Sequence, residues 1–146
     1  MSDDVGAAGA QETITRVWNA PIELIWELWT TPEGIASWFG PRGWTVQVLE
    51  LDRSVGGIFR YSMRKDGADA PPRVVESRVT VHDPPHRFAY ESPWGTESMT
   101  TSAEFVQGPD GVTMTLVISA TMPNMLGGAM MGWRSSLERF GEQLAG

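Results

Sequence analysis

The sequence contains no cysteine, two histidines, and 11 basic residues against 18 acidic ones. Without cysteine there is no disulfide framework, no thiol nucleophile and no zinc site built on thiolates. The net charge of -7 and the lack of any basic run argue against binding to nucleic acid, which needs clustered lysine and arginine. A chain without cysteine is compatible with a reducing compartment, and we expect a cytoplasmic protein.

Long apolar runs are also missing. No stretch approaches the roughly 20 apolar residues that a transmembrane helix needs, so we do not expect an integral membrane protein. Near the N-terminus, Asp3 and Asp4 stand where a secretory signal would carry positive charge. We interpret 1–11 as a flexible tail and 12–146 as a single domain, which is long enough to bury a core without disulfides or metal.

Hydrophobic periodicity divides this domain into a strand, two short helices, a series of strands and a long final helix. β-branched residues alternate over 12–19, and apolar residues at helical spacing follow Pro21 until Thr31-Pro32. Residues 33–39 fit a second short helix. Turn signals then separate predicted strands near 44–51, 58–65, 73–83, 86–92, 97–107 and 111–121. The short connections between them predict an antiparallel meander.

Alternation within the strands sorts side chains into an outer polar face and an inner apolar face. The inner face comprises Phe59, Tyr61, Met63, Val75, Val79, Val81, Phe88, Tyr90, Met99, Ala103, Phe105, Met114, Leu116 and Ile118. The last helix carries one apolar stripe, made of Leu126, Met130, Trp133, Leu137, Phe140 and Leu144. We therefore predict an α+β fold in which this helix covers the inner face of the sheet.

Glycine is frequent in the final helix. Gly127, Gly128, Gly132 and Gly141 each disfavour helix by roughly 1 kcal/mol relative to alanine, so packing must hold the helix in place. We expect its N-terminal half to be the softer half. Gly132 beside Trp133 either lets the helix approach the sheet closely or leaves volume for a ligand, and of the two we favour close packing.

Several motifs occur in an order that resembles one protein family. They are Ala20-Pro21, then IWELWTTPE at 25–33, WFGP at 38–41, DRSVGGIF at 52–59, and the pairs GW, SL and RF between 132 and 140. Over residues 12–145 the chain resembles the family named after the C-terminal domain of the activator of the heat-shock-protein-90 ATPase. That family belongs to the START-like superfamily, also called SRPBCC or Bet v 1-like.

The resemblance implies a helix-grip fold, in which a curved sheet of six to seven antiparallel strands wraps around the long C-terminal helix. It also implies a hydrophobic ligand cavity between sheet and helix. We expect the cavity to be lined by Trp38, Phe39, Trp44, Phe59, Tyr61, Met63, Val75, Val79, Phe88, Tyr90, Trp94, Met99, Phe105, Met114, Leu116, Met125, Met130 and Trp133.

The aromatic residues near loops have a separate role in this prediction. Trp38, Phe39, Trp44 and Trp94 are expected to rim the mouth of the cavity, because large rings are costly to expose. We expect a ligand to enter beneath the N-terminal half of the last helix. Gly127, Gly128 and the loops at 38–41 and 93–95 would yield to admit it.

Catalytic constellations are hard to find. His82 and His86 flank a predicted exposed turn at 83–85, outside the cavity, so neither a hydrolytic triad nor a histidine metal site is indicated. Most carboxylates fall on the outer face, and the register leaves open only Glu50, Asp52 and Glu97. The inner hydroxyls of Tyr61, Tyr90, Ser77 and Thr101 can orient a ligand without activating water. We predict no catalytic residue, no metal ligand and no cofactor.

Three functions are consistent with these features. The first is a noncatalytic carrier or sensor of a small hydrophobic or aromatic molecule, lipid-like or polyketide-like. The second is an enzyme of cyclase or dehydratase type, as some members of the superfamily are, using Tyr61 or Tyr90. The third, which the family name suggests, is a chaperone-associated stress protein. The sequence leaves monomer and homodimer open.

Overall fold

The computed structural model describes residues 10–145, apart from the side chain of Trp94. In chain order its elements are β1 (Ala10–Trp18), α1 (Ile22–Thr30), α2 (Pro32–Trp38), β2 (Trp44–Leu51), β3 (Ile58–Lys65), β4 (Arg73–Asp83), β5 (Arg87–Trp94), β6 (Glu97–Gly108), β7 (Gly111–Ala120) and α3 (Leu126–Ala145). A short 3-10 turn, Pro123–Met125, leads into α3. No helix within the described residues is long and apolar enough to cross a membrane.

The seven strands of this region form one sheet in the order β1-β7-β6-β5-β4-β3-β2, with β1 and β2 at its edges. Every neighbouring pair is antiparallel, as short hairpin connections require. The two short helices connect the edge strands β1 and β2, and α3 covers the inner face. The predicted α+β helix-grip architecture is confirmed.

β1 begins earlier than the sequence indicated. Ala10 pairs with Ala120 and Gln11 with Ser119, because β7 extends far enough to give both residues a partner. Residues 10 and 11, which we assigned to the tail, therefore belong to β1. The other residues assigned to the tail, 1–9, lie outside the described part of the chain.

Thr31 separates the two short helices and serves both. Its backbone N–H donates to Glu27 O at 3.1 Å and closes α1, while its side-chain oxygen accepts from Gly34 N at 3.1 Å and caps α2. Pro32 thus occupies the first turn of α2, where a missing N–H costs nothing. The proline that stops one helix also begins the next, one residue before the predicted start.

The turn between β5 and β6 is shorter than predicted. Pro93 pairs with Ser98 and Trp94 with Glu97, so both belong to strand backbone rather than to a loop. The turn consists of Gly95 and Thr96, and the positive φ of Gly95, 67°, makes the tight reversal possible. The predicted loop at 93–95 is corrected accordingly.

The inner face is buried as the alternation predicted, with three residues only partly covered. Val81 is half-buried because a register shift between Val79 and Val81 turns the end of β4 outward. Met63 and Met99 are also half-buried. The stripe of α3 is buried from Leu126 to Phe140, together with Ser136, and Leu144 is half-buried.

Candidate functional site

The centre of the predicted cavity is filled by aromatic rings. Trp29 lies 4.7 Å from Trp38 and 5.8 Å from Trp133, and Trp38 lies 5.0 Å from Phe140, all measured between ring centroids. Trp38 is 1 % exposed and donates its Nε1 proton to Leu28 O at 2.8 Å. The prediction that Trp38 rims a cavity mouth is wrong, since α2 turns this ring into the core.

A pocket remains at one end of the space between α3 and the sheet. It has a volume of about 240 Å³ and lies where the N-terminal half of α3 passes over β3 and the loop after α2. Its walls are Phe39, Gly40, Pro41, Tyr61, Met63, Gly128, Ala129, Gly132, Trp133 and Ser136. Apart from one tyrosine hydroxyl, one serine hydroxyl and the indole N–H of Trp133, the side chains in these walls are apolar or absent.

Four of the expected cavity residues meet in this pocket: Phe39, Tyr61, Met63 and Trp133. The structure places most of the others in the solid core, namely Trp38, Phe59, Val75, Val79, Phe88, Tyr90, Phe105, Met114, Leu116 and Met130. Trp44, Met99 and Met125 are half-buried but do not line the pocket. The side chain of Trp94 lies outside the described residues.

Six lining residues were absent from the expected set: Gly40, Pro41, Gly128, Ala129, Gly132 and Ser136. Most are small, so they contribute free volume instead of contact surface. Gly128 and the loop up to Pro41 did appear in the predicted path for a ligand. The pocket therefore lies near that path, rather than in the middle of the sheet.

Gly132 shows how the free volume arises. A Cβ atom built on this residue would meet only Pro41 Cγ, at 4.0 Å, which is an ordinary contact distance. Close packing of α3 on the sheet therefore does not explain a glycine here, contrary to the interpretation we favoured. Its missing side chain instead leaves space between Trp133 and Pro41.

The loop that forms one wall is fixed to the C-terminal half of α3. Arg139 donates from Nη1 to Phe39 O at 3.3 Å and to Gly40 O at 2.9 Å. Arg42 N donates to Ser135 Oγ at 2.9 Å, and the Arg42 guanidinium pairs with Glu142. These bonds hold the 39–42 segment in place, so this wall is the less mobile side of the pocket.

Tyr61 is the polar group of most interest in the pocket. Its side chain is 7 % exposed, and its hydroxyl makes no hydrogen bond to another described residue but is not among the fully enclosed polar atoms. Burial raises the pKa of Tyr61 to about 12, although the nearby charge of Arg73 lowers it slightly. The hydroxyl is therefore protonated at neutral pH and available as a donor.

The remaining inner hydroxyls do not reach the pocket. Ser77 and Ser92 bond to each other at 2.7 Å inside the core, and Thr101 is buried there. Burial also raises the pKa of Tyr90 well above its ordinary value. Tyr90 is 3 % exposed and does not line the pocket.

The histidines lie away from the pocket, one of them differently than predicted. His82 is half-buried in β4, with its ring 5.7 Å from that of Trp26, because the register shift after Val79 places it opposite the buried Phe88. His86 is exposed in the following turn. Across residues 10–145, no three histidine, aspartate or glutamate side chains form a group that could hold a metal ion.

Glu50, Asp52 and Glu97, whose face of the sheet the sequence left open, do not line the pocket. Glu50 pairs with Arg60 at 2.9 Å, and Glu97 accepts from the Thr121 hydroxyl at 2.7 Å. Asp52 accepts from Ser54 N at 3.0 Å in the turn before β3, and this hydrogen bond holds its pKa below the ordinary value. The three therefore have structural partners at the surface.

Two other depressions have larger volumes than the pocket, about 440 and 360 Å³, and all three are open to solvent. The first lies beside α1 and α2 and includes Glu27 and Glu33, while the second includes Arg16, Arg134 and Glu138. Their charged residues are exposed to solvent. Apolar ligand sites are usually concave and mostly apolar, so we regard the smaller pocket as the candidate site.

The structure is similar to several solved bacterial proteins. One from Chromobacterium violaceum has 21 % sequence identity and a TM-score of 0.82, with 92 % of this chain and 96 % of that chain covered. An AHSA1-like protein from Aeromonas hydrophila has 21 % identity and a TM-score of 0.74, with 91 % and 90 % covered. A protein from Arthrobacter aurescens has 17 % identity and a TM-score of 0.83, with 99 % and 90 % covered.

These likenesses, at identities below one quarter, establish the fold. No curated protein has a sequence that matches this chain. A family model does match: the one described as Activator of Hsp90 ATPase homolog 1-like protein fits residues 19–145, most of the chain. The chain therefore belongs to the family of activator of Hsp90 ATPase homolog 1-like proteins, in agreement with the START-like architecture of its sheet and helices.

Proposed function

We propose that this protein binds a small hydrophobic or aromatic molecule in the pocket under α3, as a noncatalytic carrier or sensor. The observation that carries this proposal is the pocket itself, about 240 Å³ of space lined by Phe39, Tyr61 and Trp133 beside the aromatic core. Helix-grip proteins of this superfamily commonly bind hydrophobic ligands, which supports the same function.

The chemistry of the walls favours binding over turnover. Tyr61 is the titratable side chain among the lining residues, and with a pKa of about 12 it does not act as a base at neutral pH. Ser136, the other hydroxyl, donates to Gly132 O at 2.9 Å and has no histidine beside it to activate it. A cyclase or dehydratase would have to work with a single neutral tyrosine.

The first experiment is native mass spectrometry of freshly purified protein, followed by organic extraction of whatever is bound. We expect a defined small molecule in a fraction of the protein. Gly132→Leu places a side chain in the pocket and should abolish that bound species. Gly127→Leu is the matched control, because Gly127 lies on the same helix, is exposed and does not line the pocket.

The two variants make the result specific to the pocket. Both replace glycine by leucine in α3, so both gain similar helix propensity. If Gly132→Leu retains the bound molecule as well as Gly127→Leu does, the ligand lies elsewhere and the pocket is not its site. If wild-type protein carries no small molecule and binds none from a panel of lipids and aromatics, the proposal fails.

A chaperone partner is the second candidate, favoured by the family match alone. It predicts that the purified protein binds heat-shock protein 90 and stimulates its ATPase. Pull-down and steady-state ATPase measurements with and without this protein test it. Unchanged ATPase at saturating protein would exclude this role. In either role we place the protein in the cytoplasm, as a monomer or homodimer.

A further inference from the structure

We infer that Tyr61 selects the ligand, and that the pocket takes a neutral aromatic or alicyclic molecule carrying one carbonyl oxygen that accepts a hydrogen bond from the Tyr61 hydroxyl. This inference rests on the proposed function and adds the chemical class of the ligand. It follows from three features of the pocket: an unpartnered donor, occupied acceptors and aromatic walls.

The unpartnered donor is the first feature. Tyr61 lines the pocket and is 7 % exposed, and its hydroxyl, which is not among the fully enclosed polar atoms, makes no hydrogen bond to another residue within 10–145. In a mostly apolar pocket, such a hydroxyl is a polar group that can fix the orientation of a ligand. A ligand acceptor would satisfy it. Since burial keeps the pKa of Tyr61 near 12, the hydroxyl acts as a donor throughout the physiological pH range.

The other polar atoms of the walls are the second feature. The carbonyls of Phe39 and Gly40 accept from Arg139, and the carbonyl of Gly132 accepts from Ser136. The Ser136 proton is therefore used within the helix. Among the lining side chains, the Tyr61 hydroxyl and the Trp133 indole N–H are left as uncommitted donors, so the pocket matches an acceptor on the ligand better than it matches a donor.

The aromatic walls are the third feature. The Phe39 ring stands nearly perpendicular to those of Tyr61 and Trp133, at 88° and 72°, with centroids 5.1 and 5.4 Å away. The Phe59 ring also packs against the Tyr61 ring, with the two centroids 5.0 Å apart. These contacts fix the Tyr61 ring, so its hydroxyl is held in place before a ligand binds. A flat ring edge-on to Phe39 suits this arrangement.

The volume sets the size of the ligand. At about 240 Å³ the pocket is smaller than the roughly 300–1,000 Å³ that is typical of sites for drug-sized ligands, which favours a small ligand. A long acyl chain exceeds this space. A single ring with a short carbonyl substituent fits it, and acetophenone is a suitable probe.

The test is a cycle of two ligands and two proteins. Acetophenone is paired with α-methylstyrene, in which a CH₂ group replaces the carbonyl oxygen and the shape is retained. Both are titrated into wild-type protein and Tyr61→Phe, and dissociation constants are obtained from amide chemical shifts. The ratio of the two constants within one protein includes the difference in hydration between the ligands. Because this difference is the same for both proteins, it cancels when the ratios are compared between proteins, and the comparison isolates the hydrogen bond.

We expect the preference for acetophenone over α-methylstyrene to fall by about 3- to 10-fold in Tyr61→Phe, the range for one neutral hydrogen bond. Tyr90→Phe is the matched control, since Tyr90 is buried on the same sheet but does not line the pocket, and it should leave the preference unchanged. The thermal stability of both variants shows that they are folded.

The outcomes separate the two proposals. An equal ligand preference in wild-type protein and Tyr61→Phe overturns the selection by Tyr61 and leaves binding in the pocket intact. An equal loss in both tyrosine variants also overturns it, because the effect would then be structural. If neither probe shifts the resonances of Gly128, Gly132 and Trp133 in wild-type protein while native mass spectrometry finds a bound small molecule, this inference fails and the proposed function stands. If both experiments are negative, both fail.

Discussion

The C-terminal half of α3, residues 133–145, is joined to the rest of the protein by many interactions, whereas the N-terminal half, residues 126–132, is joined by few. Arg139, Ser135 and Glu142 bind the 39–42 loop, and Phe140 is fully buried. In the N-terminal half, Met131 is 73 % exposed, and a Cβ on Gly127 or Gly128 would meet no atom within 4 Å.

This difference matters because the pocket lies at the junction of the two halves. Gly128, Ala129 and Gly132 cover it from the loosely held half, and Trp133 and Ser136 from the fixed half. We predicted that both the helix glycines and the 38–41 loop would yield to a ligand. Since Arg139 holds the carbonyls of Phe39 and Gly40, we now propose that the first two turns of α3 move and the loop stays.

The largest expected effect comes from one substitution made in each half. Leu137 and Leu126 are both buried, at 2 % and 4 % exposure. Leu137→Ala should lower the free energy of unfolding by about 3 kcal/mol, the usual cost of a core cavity. Leu126→Ala should cost about half as much, since the first turn can relax around the loss. Urea denaturation measures both, and equal costs would show that the halves are equally rigid.

The second test removes the hydrogen bonds from Arg139 in α3 to the loop after α2. Arg139→Met keeps most of the side-chain stem but leaves Phe39 O and Gly40 O without their donor, which should cost about 1–3 kcal/mol. Amide hydrogen exchange of residues 39–42 should accelerate. Arg42→Met removes an exposed pair and should change stability much less. Similar losses in the two variants would mean that the Arg139 bonds are not what fixes the loop.

The third test strengthens the weaker half. Gly127→Ala should stabilise the protein by about 1 kcal/mol, because alanine favours helix and its Cβ meets open space. Gly141→Ala is the control in the other half: its Cβ would lie 3.2 Å from Trp18 Cζ3, so crowding should cancel the gain. Denaturation midpoints compare them. An equal gain at both positions would argue that the two halves are packed alike.

The smallest effect is a pH dependence in the fixed half. The hydrogen bond from Arg42, aided by its charge, lowers the pKa of Glu142 below its ordinary value of 4.5. The folded carboxyl thus ionises at lower pH than the unfolded one, so the pair stabilises the fold above about pH 4.5 and this contribution disappears as the pH falls through the folded pKa. NMR titration of Glu142 should show a midpoint that rises in Arg42→Met. An identical midpoint in the two proteins would show that the pair does not form.

The fold was predictable because its signals are periodic. Alternation in the strands and the stripe from Leu126 to Phe140 identified the buried faces correctly, and turn residues located most hairpins. Errors occurred where two elements meet. Thr31 and Pro32 end one helix and begin another, and no single hydrophobic period describes such a junction. Val81 was predicted to face inward, but the bulge after Val79 turns it away from the inner face.

The site was less predictable because a pocket is space that side chains leave empty, and a sequence pattern reports only the side chains that are present. Trp38 and Phe39 are adjacent aromatic residues, yet Trp38 ends α2 and enters the core, whereas Phe39 has extended backbone just after the helix and lines the pocket. Gly132 and Ala129 line it through side chains that are small or missing, so no hydrophobic pattern reveals them. Tyr61 was recognised as an inner hydroxyl, but its lack of a partner became visible only in three dimensions.

The near-parallel arrangement of Trp29 and Trp133, 7° apart with centroids at 5.8 Å, has a spectroscopic consequence. Two indole chromophores at this separation couple their electronic transitions, and the sign and size of the resulting near-ultraviolet circular dichroism depend on their mutual orientation. Trp133 belongs to the wall of the pocket and Trp29 to the packed core. A movement of α3 over the pocket should therefore change the near-ultraviolet circular dichroism of this tryptophan pair, so the movement can be followed without an attached label.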